Sequence, residues 1–254
     1  MSASKPHPIH PLAEKLVRPF LDELAAKFSR RIQSIYLTGS AVTPDFHERS
    51  SDVNTLLVLR EMPFDFLDEV AQMGRKYGRR RIRAPLLLTL EEIRRSADVF
   101  PIEALDLKLV SHLVKGEEVL SDLQVDRAQM RLQCERELRG RVVRLRQEYV
   151  RALSGPKLLR RGMVASVSGL IALLRGALYA LGRETPIERA GVLAGLREAT
   201  GRDMAPLEAA FGLKASAASK GLLRREATRT NERALFKEYY VIMTKLAEVV
   251  DASA

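Results

Sequence analysis

Two short apolar runs, Ile35-Tyr36-Leu37 and residues 53–59, constrain this chain more than any other feature. The first closes on Thr38-Gly39-Ser40, and a polar loop with Pro44 separates it from the second. Short apolar segments between turn residues read as buried strands. Residues 84–88 form a third such run. Around them lie helical patterns. Leu12, Leu16, Phe20, Leu24 and Phe28 share one face over residues 12–29, and Phe64–Tyr77 looks helical. Thr89 followed three residues later by Glu92 is a capping box that opens another helix. Strands alternating with helices predict an α/β layer on a small mixed sheet over residues 1–122.

After Asp122 the pattern changes. Cys134, Leu138, Val142, Leu145, Tyr149 and Leu153 recur at steps of three and four, which predicts a long helix over residues 127–153, ended by Ser154-Gly155-Pro156. Residues 158–181 predict a second helix, apolar on most sides and therefore central. Helices near residues 188–199, 205–210 and 220–250 complete an all-helical bundle over residues 123–254.

The net charge of +10 is unevenly placed. Residues 1–122 carry 18 Lys+Arg against 18 Asp+Glu, and residues 123–254 carry 24 against 14, so the whole excess lies in the helical half. Such a face attracts anionic partners, nucleic acid included, although arginine-rich helix faces are also simply solvated. The single cysteine, Cys134, excludes an internal disulfide framework and suits a reducing cytoplasm. The polar, proline-rich start is no secretory signal. The most apolar window, residues 163–181, is broken by Ser166, Ser168, Gly169 and Arg175, so it reads as a core helix and no membrane span is expected.

The chemistry-bearing stretch is Tyr36-Leu37-Thr38-Gly39-Ser40, eleven further residues, then Asp52-Val53-Asn54-Thr55-Leu56-Leu57. Gly-Ser at a strand end lets backbone amides and a hydroxyl approach a triphosphate closely. Positions i and i+2 of a strand face the same way, so residues 52 and 54 can serve one cation. This arrangement resembles the nucleotidyltransferase superfamily. Runs such as Asp98-Val99-Phe100-Pro101-Ile102-Glu103 and Cys134-Glu135-Arg136-Glu137-Leu138-Arg139-Gly140 are also similar to bacterial nucleotidyltransferase-domain proteins with a helical C-terminal domain.

The resemblance implies a nucleoside triphosphate held by Gly39 and Ser40, with Mg2+ on Asp52 and Asn54 and Asp52 as the catalytic carboxylate. By analogy with antibiotic-modifying members, the acceptor would lie between the two halves. The chain departs from the pattern in two places. Asn54 stands where the family has a second carboxylate, and the run Arg83-Ala84-Pro85-Leu86-Leu87-Leu88 carries no third. Asp106, in the strand-like run Leu105-Asp106-Leu107-Lys108, is the candidate replacement, and Asp45 and Glu48 lie in the loop. Two functions follow. One is Mg-dependent transfer of a nucleoside monophosphate to an acceptor hydroxyl. The other is a catalytically degenerate module that binds nucleotide, RNA or protein.

Other chemistries find less support. The helical half has no histidine, the four being His7, His10, His47 and His112, so a histidine-dependent RNase of the HEPN type lacks its acid/base group. Residues 74–83 hold six basic residues in ten, which suits phosphate binding but suits a solvated helix end better.

Overall fold

The computed structural model describes residues 8–48, 51–152, 156–218 and 232–253. In chain order the N-terminal elements are α1 (Pro11–Phe28), β1 (Ile32–Thr38), β2 (Asn54–Leu59), α2 (Phe64–Tyr77), β3 (Leu86–Thr89), α3 (Leu90–Ser96), α4 (Pro101–Leu109) and β4 (Ser111–Gly116). The sheet order is β3-β2-β1-β4, with β2 and β3 parallel and the other pairs antiparallel. The chain divides into two compact units, one ending at Val125 and the next beginning at Asp126.

Alternation along β1 and β2 sends side chains to both faces of the sheet, and both are covered. On one face Tyr36, Leu56 and Val58 are buried with Ile93, Leu120 and Leu123, with Leu88, Leu90 and Leu113 packed against them. Ile35, Leu37, Leu57 and Leu59 take the other face and are equally buried. There α1 and α2 interlock through ring contacts, Phe20 with Tyr77 at 5.2 Å and Phe28 with Phe66 at 5.0 Å. The expected capping box is present, Thr89 and Glu92 each binding the other's backbone amide.

Glu23 of α1 ties these helices together. It accepts from Lys27 at 2.8 Å, from Lys76 at 2.7 Å and from the Tyr77 hydroxyl at 2.7 Å. The hydrogen bond from Lys27, then those from Lys76 and Tyr77, hold its carboxyl down to about 2. The folded value lies below the unfolded one, so the stabilisation is present above about pH 4.5 and is lost as pH falls toward 2. A thermal-melt series should show wild type above Glu23→Gln at pH 7, with the gap closing between about pH 4.5 and 2. A gap that stays constant with pH would show that the carboxylate charge contributes nothing.

Two expectations from the sequence need correction. The run around Asp106 is no strand: it lies inside α4, where Pro101 fixes the first turn and Ile102, Ala104 and Leu105 form the buried side. The strand in that neighbourhood is β4, one step later, an edge strand with little apolar content. Residues 158–181 are likewise two helices rather than one. The C-terminal elements are α5 (Arg127–Arg151), α6 (Pro156–Ser166), α7 (Leu170–Ala180), α8 (Arg189–Thr200), α9 (Ala205–Ala218) and α10 (Glu232–Asp251). Between α6 and α7 the chain bends by 54°. Gly169 takes the left-handed φ of +65 there, and the Arg141 guanidinium donates to the carbonyls of Ser166 and Ser168. These side-chain bonds replace helical ones at the break.

In this unit α5 lies along α10 and α7, burying Met130, Cys134, Leu138, Val142 and Leu145. Leu153 and Ser154-Gly155 lie outside the described residues, as do residues 220–231 of the last expected helix. Among the described residues no single helix is long and apolar enough to cross a membrane.

Candidate functional site

The site is built where β1 ends. Thr38 pairs with Asn54 of β2 on one side and with Ser111 of β4 on the other. Residues opposite one another in an antiparallel ladder project to the same face. Ser111, Thr38 and Asn54 therefore make a half-buried polar row across three strands. The chain then enters a single 3-10 turn, Gly39–Val42. Gly39 has φ +69, and a Cβ built on it would lie 3.2 Å from Nδ2 of Asn54. Both the backbone angle and the close approach call for glycine. The Gly39 amide donates to the Val110 carbonyl at 3.1 Å, which fixes the turn against the end of α4. Ser40 is half-buried, and its carbonyl accepts from the Thr43 amide at 3.1 Å and the Thr43 hydroxyl at 3.3 Å.

Asp52 sits just before β2, half-buried. The strand is extended there by a one-residue parallel bridge between Val53 and Ile82. The Val53 amide donates to Arg81 O at 2.9 Å, and the Arg83 amide donates to Val53 O at 3.0 Å. This zipper sets Arg83 beside Asp52, and Nε of Arg83 donates to Oδ2 of Asp52 at 2.8 Å. Arg81 donates to the Ser51 carbonyl at 3.3 Å.

Of the residues singled out from the sequence, Gly39 and Asn54 come into direct proximity and Ser40 follows in the same turn. Asp106 belongs to α4, and the residue that follows α4, Val110, accepts from the Gly39 amide. Asp45 is half-buried with its amide on the Thr43 hydroxyl, and Glu48 is exposed. His47 is exposed and exchanges backbone-level bonds with Ser51. His112 pairs with Leu37 and so faces away from the polar row, its Nδ1 buried without a hydrogen-bond partner among the described residues. Sequence reasoning missed Ser111 and the pairing of Arg83 with Asp52. The first had no motif to mark it, and the second sat unnoticed in the basic run.

The resemblance drawn from the sequence implies Mg2+ at Asp52 and Asn54, so the donor set can be tested. Asn54, beside Gly39, is a neutral amide, and Asp52, two residues before it, is an ion-paired carboxylate. Among the described residues no group of three His, Cys, Asp or Glu could hold a metal ion. A protein-held pair of metal ions does not fit these residues.

A four-stranded mixed sheet, a Gly-Ser turn after its central strand and an all-helical C-terminal part define a nucleotidyltransferase-like fold. Among solved structures, the chain is similar to the spectinomycin adenyltransferase AAD(9) from Enterococcus faecialis, crystallised with ATP and spectinomycin. That similarity covers 91% of this chain and 98% of that one, with a TM-score of 0.54 and 12% sequence identity. Neither a protein-family model nor a curated protein matches the sequence.

Proposed function

We propose that this chain binds a nucleoside triphosphate at the Gly39–Ser40 turn, on a nucleotidyltransferase fold whose acidic machinery is reduced to Asp52. The observation that carries this is the left-handed Gly39, pressed against Asn54 and continuing a row of polar side chains. A turn of this kind presents backbone amides and the Ser40 hydroxyl to phosphate oxygens without a side chain in the way. Calorimetric titration with each of the four nucleoside triphosphates and Mg2+ should give saturable binding of at least one. Ser40→Ala should weaken it roughly three- to tenfold, the effect of one hydrogen bond. Failure of all four to bind would sink the reading.

The fold likeness to an adenyltransferase favours a second reading, transfer of the nucleoside monophosphate. An acceptor hydroxyl would attack the α-phosphorus, pyrophosphate would leave, and the hydroxyl proton would pass to a base. Asp52 is the residue on which that reading depends. Pyrophosphate release that disappears in Asp52→Ala while the triphosphate still binds would establish it.

A further inference from the structure

We infer that Arg83 supplies the positive charge at this site, so that triphosphate binds here without a divalent metal. The inference rests on the triphosphate site proposed above and names the group that neutralises the phosphates.

The Val53–Ile82 bridge holds the segment 81–83 alongside residues 51–53 through two backbone hydrogen bonds, of 2.9 and 3.0 Å. The backbone that carries Arg83 alongside Asp52 is thus set by the sheet. Arg83 uses Nε for Asp52, and its two terminal nitrogens make no hydrogen bond among the described residues. A guanidinium presents these donors in a planar fork that matches two phosphate oxygens. The ion pair is accessible, with 69% of the Arg83 side chain and 36% of the Asp52 side chain exposed. Exposed pairs of this kind hold weakly. A triphosphate, with several negative charges, is a stronger partner for Arg83 than one carboxylate. The neighbouring Arg81 adds a second positive charge on the same short segment, tethered to the Ser51 carbonyl.

The arrangement also accounts for Asn54. A second carboxylate there would draw on the same cation and repel phosphate, whereas an amide does neither. Asp52 alone tethers Arg83 when no anion is bound.

The test uses inorganic tripolyphosphate as the probe, titrated calorimetrically into the full chain with EDTA and again with Mg2+. Wild type should bind in EDTA within about threefold of its affinity in Mg2+, since a charge-assisted arginine contact takes the metal's part. Arg83→Ala should lose about tenfold or more in EDTA, and Arg83→Lys should recover only a minor part of that loss, since an ammonium keeps the charge but not the two-donor fork. Asp52→Ala should tighten metal-free binding, because it frees Arg83. Binding that demands Mg2+ in the wild type, no binding at all, or an unchanged affinity in Arg83→Ala would overturn the inference. If tripolyphosphate binds as expected but no nucleoside triphosphate displaces it, the nucleotide reading fails and the Arg83 anion site stands. Matching melting curves for the variants would tie the losses to the site.

Discussion

A valine at position 39 should lower the melting midpoint of the N-terminal unit by roughly 5–10 °C and remove triphosphate binding. Gly39 holds φ +69, a conformation that costs an L-residue about 1–2 kcal/mol and a β-branched one more. The added side chain also starts 3.2 Å from Nδ2 of Asn54, closer than a methyl group and an amide normally approach. That contact is the far end of a side chain, so Asn54 can swing away, and the backbone strain is the larger share. The double variant Gly39→Val/Asn54→Ala should therefore recover only a minor part of the lost stability. Binding should suffer in both variants, since relaxing φ moves the Ser40 amide and hydroxyl out of the turn. Circular-dichroism melts and calorimetric titration read the two effects separately. A Gly39→Val protein that melts with wild type and still binds would mean that this turn neither requires glycine nor holds phosphate.

Legibility from the sequence followed how local each determinant was. β1 and β2 announce themselves because each is a short apolar run stopped by turn residues, and the Thr89 capping box needs only four residues to be recognised. Gly39 and Asn54 were visible as motif positions, and the ladder brings them together through the Thr38–Asn54 pair. The misreadings arose where a short pattern satisfies two periods. Leu105-Asp106-Leu107 alternates like a strand, yet Pro101 and the three-residue step from Ile102 to Leu105 place it on a helix. β4 is an edge strand whose last residues are exposed, so its six residues carry almost no apolar signal. The break at Gly169 was hidden because Leu and Ala on both sides continue the helical composition, while Arg141, which binds the carbonyls at the break, lies 25 residues away from Ser166. The Arg83–Asp52 pair, 31 residues apart, is long-range in the same sense.

The basic charge of the helical unit is also better understood with partners in view. Arg139 pairs with Glu135 and Asp251, and Arg141 and Arg175 donate to backbone carbonyls. Arg146 and Arg233 donate to the hydroxyls of Tyr240 and Tyr149. These cations bind the bundle together, which a net charge of +10 does not reveal by itself. Burial lowers the Arg141 pKa from its usual value.

Tyr36→Phe should destabilise the N-terminal unit by about 2 kcal/mol, although it removes only one oxygen atom. The Tyr36 ring is fully buried in the middle of β1. Its hydroxyl accepts from the Val119 amide at 2.8 Å and lies 3.1 Å from both the Glu117 carbonyl and Oε1 of Glu118. Burial pushes this hydroxyl up to about 12, so it remains a neutral donor throughout the ordinary pH range. Phenylalanine would leave the Val119 amide without that acceptor in a site already closed by Leu120 and Leu123. Ser34, two residues earlier on the same face, holds the adjoining backbone in the same way. Its hydroxyl donates to the Glu117 carbonyl at 2.6 Å and accepts from the Glu117 amide at 3.1 Å. Both side chains thus fasten one segment to β1, and their losses should not add. Once Tyr36→Phe has loosened residues 117–120, Ser34→Ala should cost less than it does alone. A urea-denaturation double-mutant cycle measures that difference. Strict additivity would mean that the two hydroxyls act on independent pieces of backbone. A wild-type midpoint for Tyr36→Phe would mean that water reaches Val119 and that this face of the sheet is less closed than its packing implies.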